Sequence, residues 1–238
     1  MPNAPRIARI GHADEVEEMA EAVRSWEPRL DLAVYLEEPT LYDPDATVYG
    51  IGLSDRATLS VRHKPHVVRR GDAIVVPQSV AIEADPAISL LAIRHEGTPP
   101  AHFRERFIQT WGIDFRPVPA SGIADLPLEV IPDTPARYRI PYHCLELNAA
   151  GFRDTSGLAL HLLMVVEGQA TLAIEGGQGI DLRADQIAMI PSGTGYVVTG
   201  RARLGRLILE TETAHIARGI TESAQGSEVG NPEYRTST

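Results

Sequence analysis

From Pro28 onward the chain alternates short apolar runs with Gly, Pro and Asp. LAVYL (32–36), ATVYGIGL (46–53), ATLSV (57–61), HVV (66–68), AIVV (73–76) and ISLLAI (88–93) each have strand length. Turn formers separate them, and Arg70-Gly71-Asp72 and Asp85-Pro86 read as tight reversals. Strands resume over 137–147, 158–166, 170–175, 186–190, 195–199 and 203–210. Short strands at this spacing predict an antiparallel sandwich or barrel, so the chain reads as all-β. Two segments depart from the pattern. DEVEEMAEAVRSW (14–26) puts Val16, Met19, Val23 and Trp26 on one helical stripe, and Asp14 with Glu17 resembles a capping box. This helix should pack on the outside of a barrel. In GTPPAHFRERFIQTWG (97–112), Phe103, Phe107 and Trp111 share one face behind Pro99-Pro100. That spacing predicts a short inter-lobe helix.

The strand pattern repeats. ATLSV (57–61) matches ATLAI (170–174), and RGDAIVVP (70–77) matches RADQIAMIP (183–191), both at an offset of 113 residues. A repeat as long as a small domain implies two similar lobes rather than a solenoid. The expected organisation is a helix and first barrel over 1–112, a proline-rich linker over 113–136, a second barrel over 137–212 and a polar tail over 213–238.

Composition narrows the function. The chain has 238 residues and a net charge of −10, which disfavours nucleic acid and anionic lipid as partners. No apolar run reaches the roughly 20 residues that span a bilayer, and the first residues lack a secretory h-region, so a cytoplasmic location is expected. Cys144 is the single cysteine, which excludes an intramolecular disulfide and a cysteine zinc cage. Barrel edges that need covering make a homodimer the expected assembly.

LLMVVEGQATLAI (162–174), LRADQIAMIPSGTGYVV (182–198) and RLGRLIL (203–209) resemble the cupin superfamily. Within it, the second lobe is most similar to the C-terminal barrel of class I mannose-6-phosphate isomerases. The resemblance implies two tandem jelly-roll-like cupin barrels. In such barrels an H-x-H pair, a glutamate and a later histidine hold a divalent transition ion. Here FRDTSG (152–157), where the pair should stand, has no histidine. His161 stands at the glutamate position and Tyr196 at the late-histidine position. In the first lobe the equivalent positions are Val48 and Ile82. The resemblance therefore implies a barrel fold without its usual metal set: no metal ligand is assigned and no cofactor is expected, although a divalent ion on other ligands stays open.

His161 has three readings: a core histidine bonded to a carbonyl or to Tyr196, a polar group of a metal-free pocket, or a metal ligand. By strand alternation His143 shares the inward face with Leu145 and Leu147. His161, Tyr196 and His143 are the candidate ligand-binding residues, and the candidate catalytic ones if there is catalysis. Cys144 reads as a filler. His63 and His66 read as exposed turn residues, His95 and Glu96 as a strand end, and His102 as part of the inter-lobe helix. Arg153, Arg201 and Arg203 are the cations nearest the motif. The expected function is that of a degenerate bicupin binding a small polar molecule, a carbohydrate among the options. The alternative is a sugar isomerase or epimerase using His/Tyr acid–base chemistry. Behind it stands a metal-dependent cupin dioxygenase, which needs ligands that neither lobe offers at the family spacing.

Overall fold

The computed structural model describes residues 4–61, 64–76, 78–96, 109–111, 116–117, 129–130, 140, 142–148, 151–174, 177–184 and 186–210. In chain order the elements are β1 (Arg6–Arg9), α1 (Ala13–Trp26), β2 (Leu30–Leu41), β3 (Ala46–Gly52), β4 (Arg56–Val61), β5 (Lys64–Arg69), β6 (Ala73–Val76) and β7 (Ile82–Glu96). Then follow β8 (Gln109–Trp111), β9 (Arg116–Pro117), β10 (Glu129–Val130), β11 (Tyr142–Glu146), β12 (Phe152–Thr155), β13 (Leu160–Ile174), β14 (Gly179–Arg183), β15 (Gln186–Ile190) and β16 (Gly195–Leu209). The fold is all-β, with one helix among the described residues.

The strands form two curled sheets. One has the path β5-β4-β7-β3-β6-β8 with β2 added to β7. The other runs β1-β15-β13-β16-β11-β10, with β12 on β16, β14 on β13 and β9 on β11. The duplication read from the sequence reappears in the ladders. Val48 pairs with Val76 in the first sheet as His161 pairs with Ile190 in the second. Val48 also faces Arg94 as His161 faces Ile208.

Three apolar clusters follow from this arrangement. Leu59, Ile74, Ile82, Ile88 and Leu90 fill the first lobe. Phe152, Leu163, Leu172, Ile190, Tyr196 and Leu204 fill the second. The third lies between the lobes and joins Tyr49, Ile51, Leu91 and Ile93 to Leu162, Met164, Met189 and Leu207. The central strands are therefore buried on both faces, which explains why LHLLMVV (160–166) is a continuous apolar run rather than an alternating one. The stripe of α1 enters the shared cluster through Val16, Met19, Ala20 and Val23.

Several expectations are corrected. The capping box at Asp14 and Glu17 does not form: the N-cap is His12, without a side-chain cap bond. Glu15 accepts the Arg9 backbone N–H instead (2.8 Å), tying the helix start to β1. Asp85-Pro86 is no reversal, because Asp85 pairs with Thr58 inside β7. The predicted strands 158–166 and 170–175 are one strand, β13, and 195–199 and 203–210 are one strand, β16. The helix expected over 97–112 is a strand at Gln109–Trp111, paired to β6, and residues 97–108 lie outside the described residues. Two pieces of the expected linker, β9 and β10, pair with β11. Arg6–Arg9, counted with the first lobe, hydrogen-bonds to β15 of the second, because four residues on an edge carry too little periodicity to be read as a strand. The tail over 213–238 lies outside the described residues.

Candidate functional site

Strand alternation sends His143, His161, Tyr196 and Arg206 to the inner side of the second lobe, at one end of its apolar filling. The ladders then bring them together. His143 on β11 stands opposite Arg206 on β16, and Asp154 on β12 stands opposite Tyr196 at the other end of β16. The turn after β15 fixes the β12 side. Ser156 donates its hydroxyl to the Pro191 carbonyl (2.6 Å) and accepts the Thr194 N–H (3.0 Å). Gly193 donates its N–H to the Gly157 carbonyl (2.6 Å). Pro191-Ser192-Gly193 thus anchors both Asp154 and Tyr196.

The polar groups form a closed cluster. Arg206 is 0% exposed, Tyr196 0%, His161 4% and His143 6%. Asp154 is the partly exposed member, with 23% of its side chain accessible. Arg206 pairs with Asp154 through Nη1 and donates from Nη1 to Tyr196 Oη (3.0 Å) and from Nη2 to His143 Nδ1 (2.6 Å). Tyr196 Oη lies 3.0 Å from His161 Nδ1 and 3.5 Å from Asp154 Oδ2. The hydroxyl, which accepts from Arg206, has one proton and two neighbours that can take it, His161 Nδ1 and the Asp154 carboxylate. Phe152 and His161 both meet the Tyr196 ring edge-on, at centroid distances of 6.0 and 5.8 Å.

These bonds set the protonation. An imidazole that accepts at Nδ1 is neutral and carries its proton on Nε2; Arg206 can only donate, so His143 is the Nε2–H tautomer. Among the described residues neither Nε2 has a hydrogen-bond partner. Burial and then the Arg206 charge push His143 down to about 4 and His161 down to about 3. Burial pushes the Tyr196 phenol up to about 12. The cluster thus holds one positive and one negative side chain and two neutral imidazoles.

Of the two partners considered for a core His161, a carbonyl and Tyr196, Tyr196 is the one in hydrogen-bond reach. The three residues named from the sequence converge, but sequence reading missed the two charged members. Arg206 is an arginine on the inward face of an otherwise apolar strand end, and that mismatch was the available signal. Asp154 sits in the very stretch noted for lacking histidine. Arg153, Arg201 and Arg203 are exposed instead. At the equivalent positions of the first lobe, Val48 and Ile82 are buried in its apolar filling. His66 lies on β5, and His63 and His102 lie outside the described residues. Two open clefts of about 510 and 590 Å³ lie around Gly168 and Arg201 and do not include the cluster.

The residues do not fit the divalent ion that the resemblance implies. Both Nδ1 atoms are already engaged in hydrogen bonds, and Arg206 brings a charge that proteins do not remove. A divalent ion about 4 Å from a guanidinium is repelled by roughly 8 kcal/mol at an effective dielectric constant of about 20. Among the described residues no group of three or more His, Cys, Asp and Glu side chains is placed to hold a metal.

Comparison with solved structures gives the architecture a class. Salicylate 1,2-dioxygenase from Pseudaminobacter salicylatoxidans is similar over 93% of this chain and 87% of its own, at a TM-score of 0.55 and 11% identity. A cupin 2 conserved barrel domain protein from Leptotrichia buccalis is similar over 77% of this chain and 85% of its own (TM-score 0.50, 10% identity). The fold is of the cupin type. AerE from Microcystis aeruginosa matches 76% of this chain and 86% of its own (TM-score 0.50, 16% identity). No protein-family model and no curated protein matches the sequence. No described helix of this cupin-type chain is long and apolar enough to cross a membrane.

Proposed function

We propose that the chain is a bicupin whose second barrel binds a small, uncharged, polar molecule, with carbohydrates as the best-fitting class. The two-barrel reading rests on the repeated ladder pattern and on likeness to a solved cupin-type chain over nearly the whole length. One observation carries the binding reading: both imidazoles spend Nδ1 inside the cluster and keep Nε2 unengaged among the described residues, as an N–H donor on His143. Two neutral imidazole nitrogens beside the Asp154 carboxylate suit hydroxyl groups, which both donate and accept. Arg206 and Asp154 cancel in charge, so the site offers no net attraction to an anion. Asp154 is the exposed edge, and approach is from its side.

The isomerase reading fits less well. A general base works best with a pKa near the working pH, whereas His161 is lowered to about 3 and Tyr196 raised to about 12. A thermal-shift and calorimetric panel of neutral sugars, sugar phosphates and small carboxylates tests the proposal. Salicylate belongs in it, because a fold neighbour is named for oxidising that compound. A neutral sugar should bind equally at pH 6 and pH 8, and His143→Gln should weaken it about tenfold, the worth of one polar contact. Binding by anions alone, or by nothing in the panel, contradicts the reading.

A further inference from the structure

The acceptors around Arg206 are arranged as a cage for a cation. An imidazole nitrogen (His143 Nδ1), a phenol oxygen (Tyr196 Oη) and a carboxylate oxygen (Asp154 Oδ2) all face its guanidinium. Imidazole nitrogen and carboxylate oxygen are the donor types that ligate divalent transition ions. The ion they surround here is part of the chain. We propose that Arg206 is this barrel's own cation: its guanidinium takes the place of a divalent metal and keeps the second lobe metal-free.

Two observations support the substitution. Arg206 is wholly buried, so its charge is held by these acceptors and not by water. Its position on β16, directly opposite His143, delivers the charge to the barrel interior by strand register alone. A guanidinium is planar, permanently charged and carries several donors, so it can satisfy three acceptors at once, and no chelator can remove it. Such a barrel folds and keeps its interior geometry without any metal supply. The inference does not depend on which ligand binds, and its test uses metal alone.

Dialysed full-length protein is titrated with Co²⁺ and followed by visible absorption and calorimetry. Wild type should show no Co²⁺ site that depends on His143 or His161. Arg206→Met, similar in length and uncharged, should gain one equivalent of Co²⁺ with d–d absorption that His143→Ala abolishes. Arg206→Lys retains a charge and should behave like wild type. A one-equivalent Co²⁺ site in wild type that disappears with His143→Ala or His161→Ala overturns the proposal. So does a folded Arg206→Met that stays without cobalt. If Arg206→Met does not fold, the wild-type titration decides alone by the same criterion.

Discussion

A buried charge is tolerated when enough acceptors converge on it, and at Arg206 they meet both Nη groups while Nε has no hydrogen-bond partner. It needs Asp154 for charge, and Tyr196 and His143 as further acceptors. The imidazoles stay neutral as a result, and this has a measurable consequence. Their unfolded value lies near 6.5, and the folded values are about 4 for His143 and about 3 for His161. Below pH 6.5 the unfolded chain takes up protons that the native chain refuses. Stability is therefore level above that pH and falls as the pH drops toward the folded values. The slope is up to about 1.4 kcal/mol per pH unit for each histidine. Asp43 and Glu15, whose carboxyls are held low in the fold by Arg94 and Arg9, add their losses only in a more acidic range. Urea midpoints between pH 6.5 and 5 should decline in wild type and flatten in the His143→Gln/His161→Gln double variant. An equal decline in both would show that the histidines titrate freely.

Among the elements, β13 and β16 decide the shape. Each runs 15 residues through a bend rather than breaking into two strands. Two glycines at positive φ permit this, Gly168 at 85° and Gly200 at 122°. They lie across the same stretch of ladder, where Gly168 pairs with Ala202 and Ala170 with Gly200. A Cβ on Gly168 would stand 2.3 Å from the Arg201 carbonyl oxygen, and one on Gly200 would stand 2.6 Å from that of Gln169. Gly168→Ala should therefore destabilise the fold by roughly 1–3 kcal/mol through backbone strain and collision. Chemical denaturation measures it, and an effect below about 0.5 kcal/mol, the usual range of a neutral surface change, would contradict the tight corner. The helix is held by a different device. Arg24 joins Glu17 (2.5 Å) to Asp31 on β2 (2.6 Å), and Arg94 on β7 joins Asp31 (3.2 Å) to Asp43 (2.6 Å). This chain of ion pairs sets the helix against the first lobe while its apolar stripe faces the shared cluster.

For the molecule as a whole, the two lobes are not independent. The cluster between them buries residues of both sheets and of the helix. Tyr142 of the second lobe donates its hydroxyl to the Gly71 carbonyl of the first (2.9 Å), and β1 crosses to pair with β15. Exposing either face of that cluster would uncover large apolar surface, at about 25 cal/mol per Å². Unfolding should accordingly be one transition, with far-UV circular dichroism and tryptophan fluorescence coincident in urea. Removing residues 1–9 should lower the midpoint of the whole transition. Two separated transitions, or a truncation that affects none, would mean that the lobes stand alone.

Local information in the chain reaches as far as periodicity does. Alternation placed His143 on an inward face, the family resemblance singled out His161 and Tyr196, and the offset of 113 residues agrees with the pairing pattern that the two sheets share. The amphipathic stripe of α1 was legible for the same reason. Periodicity assigns a side chain to a face but names none of its neighbours. That Arg206 meets His143 and Asp154 meets Tyr196 depends on the register between strands distant in sequence, which barrel closure sets. The joining of strand pairs across Gly168 and Gly200, the capture of β1 by the second sheet and the cluster between lobes are likewise nonlocal. Tertiary structure alone decided that Arg206 should be buried against Asp154, Tyr196 and His143, because only there do its three acceptors converge.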